Sequence, residues 1–239
     1  MTSLPADRTR SCAGRGVTPR CLRPLRSIAS VHLVLFLLLE VGCVGLWHRV
    51  DRSLLDQVPN EEKLLLFDAE NGVYIAKDEM ETAERAWRDA ERALARAARY
   101  RETIQERRKS GAAIDTPQVL ALLDEWNEAR TRMRRAEVAF VRQKRATAEA
   151  RLWASRARYE RAKALLVKDF NPEGGTSIQV ADFDAQVTEM EAREKEQIDL
   201  LAAREKEVSD ERAIYNELSA KLQALSNGAY GGPWADLVD

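Results

Sequence analysis

Histidine, cysteine and the aromatic residues are scarce in this chain of 239 residues, and each shortage removes a class of function. The two histidines, His32 and His48, both sit near an N-terminal apolar run. They leave no parts for a histidine-rich metal site or a Ser-His-Asp arrangement, so no metal, cofactor or catalytic residue is expected. Cys12, Cys21 and Cys43 all precede residue 44, so the long remainder has no disulfide framework. Neither sign of charge dominates. Thirty-eight Lys plus Arg face thirty-nine Asp plus Glu, a net charge of -1, and no overall basic field draws the chain to nucleic acid. Gly174-Gly175 is a turn without the spacing of a phosphate-binding loop. What is abundant is alanine, 35 residues of it, alongside 32% charged residues. That mixture belongs to long helices and coiled coils, and it excludes a thick core of large side chains. Carboxylate pairs such as Glu189 and Glu191, or Glu194 and Glu196, would need a pocket to tune them, and a thin helical rod offers none. An enzyme is not expected.

One long hydrophobic run is present. Within residues 28–47 only Ser30, His32 and Glu40 are clearly polar, and a helix of that length covers ~30 Å, enough to cross hydrocarbon. Arg8, Arg10, Arg15, Arg20, Arg23 and Arg26 precede it with a single acid, Asp7, whereas the residues that follow mix both signs. The positive-inside rule then puts residues 1–27 in the cytoplasm and everything beyond 47 outside. The expected location is the inner (cytoplasmic) membrane, single-pass, with the bulk of the chain periplasmic. A cleaved signal peptide is the competing reading, including a lipoprotein form ending at Cys43, but Glu40 occupies the position where such signals carry Leu. The apolar run also continues through Val44, Leu46 and Trp47, as a retained anchor would. His32 and Glu40 lie eight residues apart, ~12 Å along a helix, too far to form one site.

Residues 48–76 read as a connector: Pro59, the apolar patch Leu64-Leu65-Leu66-Phe67 and Asn71-Gly72 suggest a short segment with one strand-like stretch. From 77 to 168 the apolar residues recur alternately three and four apart, as in Met80, Ala83, Trp87, Ala90, Leu94 and Ala97, the spacing of helices packed along a narrow seam. A break is expected at 110–117, where Gly111 suits a helix end, Asp115 or Thr116 a cap and Pro117 a first turn. A second is expected at 169–177, where Asn171-Pro172 and Gly174-Gly175 end any helix. A returning helix over 178–227 carries the seam onward through Phe183, Val187, Met190, Leu201, Val208, Tyr215 and Leu222, with polar Glu194, Gln197, Arg204 and Glu211 inside it. Residues 228–239 form a tail. The expected class is all-α: a single transmembrane helix followed by a long antiparallel coiled-coil hairpin in which 118–168 pairs with 178–227. A continuous parallel homodimer is the alternative. The Arg-dense stretches around Arg99-Arg101, Arg107-Lys109 and Arg130-Arg135 read as solvated faces interleaved with acids, for example Glu128 four residues before Arg132.

Around the second break, Arg161 and Leu165 stand four residues apart, and Ser177 precedes Asp182-Phe183-Asp184-Ala185. This pattern resembles the α-hairpin tip of periplasmic adaptor proteins, the membrane-fusion or HlyD-type secretion family. The resemblance implies that Arg161, Leu165 and Ser177 contact an outer-membrane channel, with an inner-membrane pump as a further partner. It covers residues 28–227 at most. Eleven residues separate Leu165 from Ser177, about twice the family's usual number, and the family's β domains have no room in this sequence. The expected function is an adaptor-like component of an efflux or secretion assembly that contacts lipid through 28–47, protein partners through the coil, and further copies of itself. The alternative is an envelope scaffold or sensory coil with no transport role.

Overall fold

The structure is a computed structural model that describes residues 45–111, 113–170 and 175–231. The N-terminal segment 1–27, most of the expected anchor 28–47 with His32 and Glu40, the loop core 171–174 and the tail 232–239 lie outside the described residues. The regular elements among the described residues are all helical: α1 (Arg52–Asp56), a 3-10 turn (Glu62–Leu66), α2 (Phe67–Ser110), α3 (Pro117–Phe170) and α4 (Val180–Leu225), with no strand among them. At 1.5 Å per residue α3 extends ~81 Å, and α2 and α4 are somewhat shorter. No helix among the described residues is long and apolar enough to cross a membrane.

α3 is the shared spine. Arg158 meets Glu191, Arg151 meets Glu194, Gln143 meets Gln197 and Trp126 meets Ser219, at 2.8 to 2.9 Å, so α4 runs antiparallel to α3. On its other flank Arg151 reaches Glu79 at 2.8 Å, Arg145 pairs with Glu84, and Arg108 pairs with Asp124, which sets α2 antiparallel as well. The middle of the rod is thin because alanine fills the seams: Ala83, Ala136, Ala148, Ala154 and Ala157 are buried there. Larger side chains gather at the two ends.

The α2–α3 turn follows its local chemistry. Gly111 adopts φ 63° and closes α2 in the left-handed region, where a Cβ is costly. Arg107, Arg108 and Lys109 in the preceding turn complement the helix dipole. The Thr116 hydroxyl accepts from the Val119 amide at 3.3 Å, and Pro117 opens α3. At the far end of α4, the amide of Gly228 donates to the Gln223 carbonyl at 2.8 Å while Asn227 takes φ 52°, a Schellman closure.

The stretch 48–76 is not an extended connector. Pro59 offers its carbonyl to the amides of Glu62 and Lys63, starting a 3-10 turn that runs directly into α2 at Phe67, ten residues before the sequence places a helix. Asn71 and Gly72 lie inside α2. Gly72 has open space around it, so it weakens the helix only by its own flexibility, about 1 kcal/mol, and the packing of α2 on α3 outweighs that.

Candidate interaction surfaces

The entry segment is tied to the loop end of the α3–α4 hairpin. Gln186, fully buried on α4, accepts from the His48 amide at 2.9 Å and returns its own N–H to the His48 carbonyl at 3.1 Å. The Val50 amide donates to Glu160 at 3.0 Å, and the His48 ring rests 5.7 Å from that of Phe183. Leu46 packs beside Ala154, Ala157 and Met190. Farther on, Asp51 caps α1 by accepting from the Ser53 amide, which lowers its carboxyl pKa below the ordinary value. Val58 and Leu66 then join Leu166 and Val167 in a small core. Tyr159, at the margin of that core, has its phenol pKa raised by burial and by the carboxylates of Glu70 and Glu160.

The three residues expected to form a tip contact divide between different roles. Arg161 is spent internally, as its guanidinium pairs with Asp184 across the α3–α4 seam. Leu165 is half-buried, one residue before the buried Leu166 and Val167. Ser177 is exposed, three residues ahead of α4. Gly175 approaches the backbone of α3 so closely that a Cβ would lie 2.8 Å from the Lys168 Cα, which explains a glycine at this turn. The same end presents apolar side chains to solvent. Leu64, Leu65 and Phe67 are 74%, 67% and 66% exposed, while Leu66 between them is buried.

The opposite end is sealed. Ile104, Val119, Leu123, Trp126 and Leu222 form a core against which Tyr100, Leu122, Tyr215 and Leu218 pack. The Trp126 indole donates to Ser219 at 2.8 Å, and its ring lies 5.8 Å from Tyr100 and 5.7 Å from Tyr215. Tyr230 folds back from the tail to complete the cluster. Its hydroxyl donates to Asp115 at 2.6 Å and accepts from Arg107 at 2.6 Å, and its amide donates to Ser226 at 3.0 Å. Burial and the bond to Asp115 raise the phenol pKa above its ordinary value; Arg107 works against them. Sequence alone marks residues 228–239 only as a tail. Its available signal was a tyrosine within reach of a helix end after a glycine reversal.

Between the ends, α2 and α4 stand on either side of a groove of about 540 Å³ whose walls include Ala83, Ala86 and Leu201. Arg151 bridges it, holding Glu79 and Glu194 at once, and both carboxylates keep its guanidinium firmly charged. The polar seam residues of α4 find partners: Gln143 and Thr147 donate to the Gln197 carbonyl, Arg132 pairs with Glu211, and Arg204 pairs with Glu207 in its own helix. Of the Arg-dense stretches, Arg107 bonds Tyr230 and Arg108 pairs with Asp124, whereas Arg101, Arg132 and Arg135 line an open groove of about 400 Å³ that they share with Glu128. Among the described residues no cluster of His, Cys, Asp and Glu is arranged to hold a metal ion. No protein-family model, curated protein or solved structure matches this chain.

Proposed function

We propose that the chain is a membrane-anchored, extracytoplasmic helical rod serving as an envelope scaffold, with its anchor in residues 28–47 and its recognition surfaces along and at the ends of the three helices. The supporting observation is the bonding of His48 and Val50 to Gln186 and Glu160. It fixes the chain just beyond the apolar run to one end of the rod and leaves the Gly111 end ~65 Å farther along α3. The aromatic, sealed end is therefore the one remote from the point where the entry segment is fastened. The rod's thin alanine seams and cross-linked charges suit a spacer that holds partners apart, and nothing in them suits chemistry on a small molecule.

The test is topology. In a full-length chain with Cys12, Cys21 and Cys43 replaced by Ser, a single cysteine at Arg8 or at Ile198 is exposed to a membrane-impermeant maleimide on intact cells. The proposal expects labelling at 198, protection at 8 until the cells are opened, and retention in membranes after alkaline extraction. Release by alkali, or labelling at neither position in intact cells, contradicts it.

The adaptor reading is the second proposal, supported by the Arg161, Leu165 and Ser177 pattern. It requires the 169–177 loop to meet a distant channel, while that loop lies only ~15 Å beyond the Glu160 level where Val50 is bonded. Arg161→Ala and Leu165→Ala variants separate the two: loss of outer-membrane channel binding favours the adaptor, and unchanged partners favour the scaffold.

A further inference from the structure

The six most exposed large hydrophobic residues among those described are Trp47, Leu64, Leu65, Phe67, Tyr74 and Ile75, all within 29 positions of sequence. The 3-10 turn creates the core of this patch. It turns Leu66 inward onto Val58, Leu166 and Val167, and in doing so directs its neighbours Leu64 and Leu65 out to solvent, with Phe67 beside them. Tyr74 lies two turns along α2 on the face of Phe67, and its hydroxyl bonds Glu70 at 3.5 Å. The side chains therefore grade along one face from purely apolar at the rod end to amphipathic ~10 Å farther in. A tyrosine at the edge of an apolar patch is a pattern found where protein meets the head-group layer of a bilayer.

Two further observations select lipid as the occupant. Residues 45–50 are fastened by Gln186 and Glu160 toward the same end of the rod, and the chain between them and the patch is short, running through Val58 to Leu66 at Leu166 and Val167. The surrounding charges exclude an attraction to acidic head groups: residues 49–78 carry four cations, Arg49, Arg52, Lys63 and Lys77, against seven acids. Apolar burial is what remains to drive contact. We propose that Leu64, Leu65 and Phe67 dip into the interfacial layer of the bilayer that residues 28–47 cross, giving the rod a second, shallow foothold in addition to its anchor. This rests on the anchored reading above and adds a site to it.

The experiment places one nitroxide label at a time on the full-length chain, with its three native cysteines changed to Ser, in phosphatidylcholine vesicles. The positions are Phe36→Cys, Leu65→Cys, Phe67→Cys and Ile198→Cys; the last three are exposed in the fold and tolerate a label. Collision with oxygen, which concentrates in lipid, is compared with collision with a water-soluble nickel chelate. The expected result is oxygen-dominated relaxation at 36, an intermediate ratio at 65 and 67, and nickel-dominated relaxation at 198, unchanged when phosphatidylglycerol is added. A nickel-dominated signal at 65 and 67 with 36 in lipid overturns the foothold and leaves the anchor standing. A nickel-dominated signal at 36 removes both. Labels at 65 and 67 shielded from both reagents would mean that protein covers the patch, and a signal that moves into lipid only with phosphatidylglycerol would mean electrostatic adsorption; either outcome also overturns the foothold.

Discussion

The two ends of the rod use the same kinds of residue to opposite effect. At the Gly111 end, Trp126, Tyr100, Tyr215 and Tyr230 turn inward, each ring covered by another or by the tail. At the loop end, Leu64, Leu65 and Phe67 turn outward beside a core of only four buried residues. Alanine-lined helices have little area to bury per turn, so closing an end takes large side chains and a chain segment to bring them there. The tail supplies that segment at one end. The entry segment 45–66 supplies it at the other, but it buries Val58 and Leu66 and leaves three apolar neighbours uncovered. The Gly111 end buries its own rings, whereas the loop end leaves its largest apolar groups in solvent, the surface that the foothold proposed above would cover.

Breaking the sealed end has the largest expected effect. Trp126→Ala removes the ring shared by Tyr100 and Tyr215 and leaves the Ser219 hydroxyl without its donor; loss of a buried Trp costs about 3–5 kcal/mol. Urea unfolding followed by circular dichroism should show a midpoint shift of that size. At the loop end the comparable change is Gly175→Ala, which puts a methyl group against the Lys168 backbone and should cost about 1–3 kcal/mol in the same assay.

Tyr230→Phe is a gentler probe of the clasp, since it keeps the ring and removes the hydroxyl that links Asp115 and Arg107, for about 0.5–1.5 kcal/mol. The wild-type clasp is also sensitive to alkali. Its phenol has a raised pKa in the fold, so its contribution is complete below the unfolded value of about 10 and is lost as pH rises through the folded value. Tyr230→Phe should therefore show a weaker alkaline destabilisation than wild type when melting is followed across that range. The smallest effect belongs to the open end: Leu65→Ser should change stability by less than about 0.5 kcal/mol in detergent-free buffer, because that side chain has little to lose on the surface. A loss as large as that of Trp126→Ala would erase the distinction between the ends.

The helical class was legible because its signals are local and repeated. Ala and Arg-Glu spacing marks α2, α3 and α4, and Gly111, Thr116 and Pro117 announce one reversal in the residue types that caps and first turns require. The start of α2 was not legible. Asn71-Gly72 carries turn propensity, and what overrides it is the docking of the preceding segment through Val58 and Leu66, a tertiary effect that local patterning does not register. The same holds for the surfaces. The apolar letters of Leu64 to Phe67 are visible in the sequence, but the choice of Leu66 as the buried one depends on the 3-10 turn, and Arg161, whose spacing suits a contact residue, pairs with Asp184 across the seam. Gln186 gave no signal, since a lone glutamine among charged residues does not reveal that it will clasp the backbone of a residue 138 positions away.

The central claim is that the chain joins the rod at its loop end and leaves the Gly111 end far away. Distances between paired nitroxides in the vesicle-reconstituted full-length chain test it most directly, with one label at Trp47 and the other at Thr188 or at Ile114. The account predicts a short separation for 47–188 and about 60 Å for 47–114, from the helical rise between those levels. A long 47–188 distance, or a short 47–114 one, would contradict it.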